Sequence, residues 1–213
     1  MTVHQVPYYA QWESAGLVPE FLSGARASAD DPSWAASGAA DPGEYAFWAP
    51  RACGIACLRM ALGFWGRPVP PAITLVATAR DAGAYIVRDG DRVEGLVYAP
   101  FAAWAADAFR LDVRVRPRID AAEAAAEVHA GRLVMLSVHP SIRSVPGPGA
   151  DPPVRGGHLV LAVGAGPRGL VLHNPSGLPG HSQRFHPVSW GDFDRFAAGR
   201  GIVLGPSHVQ GEL

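Results

Sequence analysis

"RACGIACLRMALGFWG", residues 51–66, holds both cysteines of the chain, Cys53 and Cys57, one helical turn apart. Apolar residues at 53, 56, 57, 60, 61 and 64 recur at helical spacing, so a helix is expected over 51–65. Pro50 suits its start and places Cys53 in the first turn, where unpaired backbone N–H groups and the helix dipole favour a thiolate. Cys57 lies one turn deeper, among Ala56, Met60 and Ala61, and reads as packing. Gly54 removes a side chain beside Cys53 and lets another group approach closely. Two readings of Cys53 stand at this point: a nucleophile, or a small apolar residue on a buried face.

The bulk numbers bound the alternatives. The chain has 213 residues, 48% of them hydrophobic and 17% charged, which suits one large domain with a substantial core, spanning 1–213. The formal net charge is −1, and all 18 basic residues are arginines. No basic footprint for nucleic acid appears, and no side-chain amine is present for Schiff-base chemistry. The start, "MTVHQVPYYAQW", lacks a basic run followed by an apolar one, and no stretch approaches the ~18 apolar residues that span a membrane. Cysteines four apart make no disulfide framework. A soluble, cytoplasmic protein with free thiols and no membrane partner is expected.

The period of the apolar residues changes along the chain. Helices are expected over 13–24, 51–65, 70–83, 99–110 and 120–131, the last capped by Asp120. Strands are expected over 132–139, 156–166, 169–175, 183–190 and 201–205, with a short helix at 191–199 and an extended segment at 3–11. Helices first and a meandering sheet second make an α+β fold, in which a helical part carrying Cys53 packs on an antiparallel sheet. Residues 25–50 are rich in Ala, Asp, Pro, Gly and Ser and read as an irregular insertion. It carries Trp34, Tyr45, Phe47 and Trp48, so it is expected to fold over the domain and line one wall of the cleft.

A nucleophilic thiol needs a base, an orienting group and an oxyanion donor. Of the eight histidines, His158 in "RGGHLVLAVG" stands out: it opens an apolar strand, behind two glycines that leave room for a bulky group. It is either a general base or a structural histidine bonded to backbone. Asn174, in "LHNPSG", lies 16 positions later, across the turn "GAGPRG", where a hairpin would bring it close to His158. Its other reading is an ordinary Asn-Pro turn residue. Gln11, beside Trp12 at the end of the first extended segment, is the best-placed glutamine to hold an oxyanion with the Cys53 N–H.

At these residues the chain resembles the bacteriocin-processing branch of the papain-like cysteine peptidases, the type that removes double-glycine leader peptides. "CGIACLRM" is similar to that family's opening helix, "VPYYAQW" to its first strand, and "GGHLVLAVG" with "LHNPSG" to its closing strands. The resemblance implies Cys53 as nucleophile, His158 as base and acid, Asn174 as third member and Gln11 as oxyanion donor, with no cofactor. Two positions depart from the family pattern. Phe47 stands where the family's glutamine lies, and Asn174 stands where Asp is commoner.

Other constellations carry less. His139, His158 and His173 match no compact metal-ligand spacing, and His181 and His186, five apart in a strand-like segment, are expected on opposite faces. "HPSIR", residues 139–143, is expected to shape the cleft rim. The sequence therefore points to a thiol hydrolase acting on a peptide or amide bond. An acyltransferase or amide-forming enzyme on the same site is one alternative, and a catalytically silent peptide-binding module is another.

Overall fold

"LVMLSV", residues 133–138, has every side chain buried, which a strand allows only when both faces of its sheet are covered. The computed structural model, which describes residues 1–145, 152 and 154–207, shows how. In chain order the elements are β1 (Thr2–Val3), α1 (Val18–Ser23), α2 (Pro42–Trp48), α3 (Cys53–Phe64), α4 (Ala72–Asp81), β2 (Tyr85–Arg88), β3 (Arg92–Gly95), α5 (Tyr98–Phe109), β4 (Leu111–Arg116), α6 (Ala121–His129), β5 (Leu133–Val138), β6 (His158–Gly166), β7 (Gly169–His173), β8 (His186–Ser189), α7 (Trp190–Phe196) and β9 (Ala197–Pro206). The fold is α+β. Its main sheet is antiparallel throughout, in the order β4-β9-β5-β6-β7-β8, with β1 pairing the far end of β6.

Alternation sets which residues face which layer. Leu133 and Met135 of β5, with Leu159 and Leu161 of β6 and Ile202 and Leu204 of β9, pack under α3 and α4. Val134, Leu136 and Val138, with Val160, Ala162 and Val203, face α6 and α7 on the other side. A slip of one residue would exchange the two sets, so the register is tightly specified. α6 carries the expected Asp120 cap as a complete capping box with Glu123.

Several expectations need correction. The sheet is not a simple meander: the last strand, β9, inserts between β4 and β5. β4 was not foreseen, although "LDVRVR" alternates as a half-buried strand does. The hairpin of β2 and β3 forms a separate two-stranded sheet. The stretch 25–50 is not irregular either. Its turn-forming composition also contains start signals, and α2 begins with Pro42 behind Asp41, whose carboxylate accepts from the Glu44 N–H at 2.8 Å. Of the segment 3–11, Val3 pairs with β6 and the His4 N–H donates to Val163 O at 2.9 Å; the rest adds no strand.

The insertion is pinned to the chain before it. Tyr45 and Trp48 are buried in the core beneath α2, and Trp34 and Phe47 pack against it. The Tyr45 hydroxyl donates to Asp31 Oδ2 at 2.5 Å and accepts from the Glu13 N–H at 2.8 Å. Burial pushes the Asp31 carboxyl up, but hydrogen bonds from Ser14, Tyr45 and Ser33 outweigh it and hold the group below its ordinary value. Tyr45→Phe would keep the ring and leave a buried carboxylate and an N–H short of a partner. A loss of about 1–3 kcal/mol is expected in urea unfolding; no loss would mean that this hydroxyl does not tie the insertion down.

Candidate active site

α3 begins at Cys53, directly after a 3₁₀ turn over Ala49–Arg51 that contains Pro50. The first helical residue therefore carries the thiol. Gly54 eases the approach to the sheet: a Cβ there would lie 3.1 Å from Leu159 Cδ1 and 2.9 Å from Leu96 Cδ2, so those side-chain ends would have to give way. Leu159 lies beside both cysteines. Its N–H is among the backbone donors around the Cys53 sulfur, with those of Gly54 and Cys53, and its carbonyl accepts from Cys57 Sγ at 3.8 Å. Cys57 is fully buried and Cys53 only partly so.

His158, next to Leu159, is thereby carried to the same place. The two glycines before it do more than leave room. Gly156 and Gly157 have φ of +98° and +89°, a conformation other residues rarely adopt. The His158 ring donates from Nε2 toward Asn174 Oδ1 at 2.8 Å; the amide oxygen can only accept, which fixes the tautomer. Asn174 follows β7 and is held by its backbone: its N–H donates to Gln183 O at 2.7 Å, and its carbonyl accepts from the Tyr8 hydroxyl at 2.9 Å. Ser176 Oγ lies 3.1 Å from His158 Nε2.

Gln11 joins from the other end of the chain through its own N–H, which donates to Pro175 O at 2.9 Å. Its side-chain Nε2 donates one hydrogen to Pro50 O at 3.0 Å, while Oε1 is buried without a partner. Two cavities meet at Cys53 and His158, and both are also lined by Gly95, Leu96 and Gly157. The one of about 400 Å³ adds Gln11, Trp12, Arg143 and Ser176. The other, about 340 Å³, adds Tyr98, Ser137, Leu159 and Arg200. The insertion contributes Ser28 and Pro50 to the first. Arg143, Ser176 and the Gly95–Leu96 segment were not foreseen as site residues, and only "HPSIR" marked that stretch as rim.

Electrostatics correct one expectation. Burial pushes the Cys53 thiol up, and the three backbone N–H groups only partly offset this. The helix start therefore does not leave a ready thiolate. Burial lowers His158 to about 4; the Asn174 bond opposes the shift and the Arg143 charge adds to it. At neutral pH the pair is a neutral thiol and a neutral imidazole, and no hydrogen bond joins Cys53 Sγ to the ring. His181 and His186 are not on opposite faces. Turns at Leu178–Ser182 fold the chain back, and the two ring centroids lie 5.5 Å apart. Among the described residues no three metal-ligating side chains gather, and no helix is long and apolar enough to cross a membrane.

No family model and no curated protein matches the chain. Among solved structures it is similar to the peptidase domain of Streptococcus ComA, a bi-functional ABC transporter involved in a quorum sensing pathway. That match has 15% identity, covers 74% of this chain and 93% of that one, and has a TM-score of 0.47. It is also similar to a double glycine motif protease from an AMS/PCAT transporter in complex with the leader peptide, at 16% identity over 72% and 84% of the two chains, TM-score 0.42.

His173 offers a test of burial that leaves the thiol alone. It is fully buried with both ring nitrogens unpartnered, and burial, reinforced by Arg184, lowers it to about 4. The unfolded chain binds protons near 6.5 that the folded one refuses until about 4, so stability is full above that range and is lost as pH falls through it. The melting temperature should drop between pH ~7 and ~4. His173→Leu should flatten that drop; parallel curves for the two proteins would contradict the assignment.

Proposed function

We propose that the chain is a cysteine-peptidase-like hydrolase that cleaves a peptide or amide bond through an acyl-thioester on Cys53. The observation that carries this is the His158 Nε2–Asn174 Oδ1 bond at 2.8 Å, made at the meeting point of two cavities that Cys53 also lines. With the Nε2 hydrogen committed to Asn174, Nδ1 is the basic nitrogen, and at neutral pH it is free of a proton.

The reaction then runs in two halves. His158 Nδ1 takes the thiol proton as Cys53 Sγ attacks the substrate carbonyl. The Cys53 N–H and the second Nε2 hydrogen of Gln11 hold the oxyanion. His158 returns the proton to the leaving amine, and water, activated by the same ring, releases the acyl group. Transfer to an amine or alcohol would use the same thioester. A silent peptide-binding module is the second reading, and the raised Cys53 thiol is what favours it.

Hydrolysis of a fluorogenic peptide pool separates these. Cys53→Ala should abolish turnover, whereas Cys57→Ala should keep it with some loss of stability from the vacated packing. Gln11→Ala should lower kcat by about a hundred-fold. Turnover that survives Cys53→Ala, or that depends on Cys57, would overturn the assignment; no turnover by the wild-type protein on any pool would leave the binding module.

A further inference from the structure

The cleft has a sign. Arg51 and Arg143 line the larger cavity and Arg200 the smaller, and among the described residues no Asp or Glu lines either. The chain as a whole is nearly neutral, so this is a local choice. Elsewhere the buried Arg59, 7% exposed, pairs with Glu13 at 3.0 Å, whereas the half-buried Arg67, far from the cleft, bonds only the Arg110 carbonyl among the described residues. Arg132, Arg114 and Arg116 converge on Glu127. Arg51 is spent on its own surroundings, bonded to Phe47 O and stacked 4.3 Å over the Phe47 ring.

Arg143 has no such partner. Its Nη2 donates to Ser176 Oγ at 2.8 Å, its Nε is buried with no partner, and no carboxylate lies within ion-pair distance among the described residues. A half-buried guanidinium held by a single neutral hydroxyl carries a desolvation cost that no counter-ion offsets. It sits one residue contact from the reaction centre, because the same Ser176 Oγ lies 3.1 Å from His158 Nε2. A planar guanidinium with free N–H donors matches a carboxylate better than any other common group on a peptide.

We propose that Arg143 is the specificity-determining residue of the cleft, and that it seats a carboxylate of the substrate peptide in the cavity shared by Gln11, Cys53 and His158. The carboxylate belongs to an Asp or Glu side chain or to a free C-terminus close to the scissile bond. The proposal deepens the hydrolase reading and rests on it for the word substrate. Seating an anion there also serves the chemistry. The Arg143 charge opposes the imidazolium that His158 must become, and a carboxylate on Arg143 cancels that opposition.

Binding to the Cys53→Ala protein tests this without turnover. Three fluorescein-labelled octapeptide pools serve as probes: C-terminally amidated with Glu at each position in turn, amidated with Gln instead, and the Gln pool with a free carboxylate. Fluorescence anisotropy should show the Glu pool or the free-carboxylate pool binding at least about ten-fold tighter than the amidated Gln pool. Whichever of the two does so identifies the source. Added Arg143→Gln should erase the preference, and Arg143→Lys, which keeps the charge, should retain part of it. Equal affinity for all three pools, failure of all three to bind, or a preference that survives Arg143→Gln would overturn the proposal. Selective binding by a protein whose wild type cleaves nothing would leave this site standing and remove only the hydrolase reading.

Discussion

The contact on which the site depends is the seating of the α3 start against the first residues of β6. Gly54 eases it, because a Cβ there would push the Leu159 and Leu96 side-chain ends aside. Once the helix is down, Leu159 lies beside the two thiols and its neighbour His158 lines the same two cavities as Cys53. The apolar face of β6 that holds this seat, Leu159, Leu161 and Val163, is the same face that packs under α3 and α4. Packing and the proposed chemistry therefore share one interface, and loosening the first would displace the second.

Burial decides the electrostatics of that interface. Desolvation raises the thiol and lowers the imidazole, and neither the helix start nor Asn174 reverses it. The resting pair is neutral, so on the proposed mechanism the energy of charge separation is left to be supplied when substrate arrives. The uncompensated Arg143 beside the imidazole belongs to the same economy of charge: it disfavours the ion pair until an anion balances it.

Much of this was legible in the sequence, and the reasons are physical. Cys53 and His158 sit at ends of strongly periodic elements, where a reactive residue type interrupts an apolar pattern. Asn174 follows from hairpin arithmetic across "GAGPRG", and β6 and β7 pair around that turn. Gln11 was harder, because what carries it to the site is a backbone bond to Pro175 that no local pattern encodes. The insertion of β9 beside β4 is equally non-local, and α2 was hidden because Pro42 and Gly43 read as turn residues although Asp41 and Pro42 also start a helix. The direction of the Cys53 shift was missed for a related reason: spacing shows the helix field, but burial by a distant strand shows only in three dimensions.

The central claim is that Cys53 forms an acyl-thioester with His158 as its base. The most direct measurement is acid quenching of the protein during turnover of a peptide p-nitrophenyl ester, followed by mass mapping of the acyl group. The account predicts an acyl group on Cys53, formed at least about ten-fold more slowly in His158→Gln. Acylation of Cys57, or a Cys53 acylation rate indifferent to His158, would contradict it.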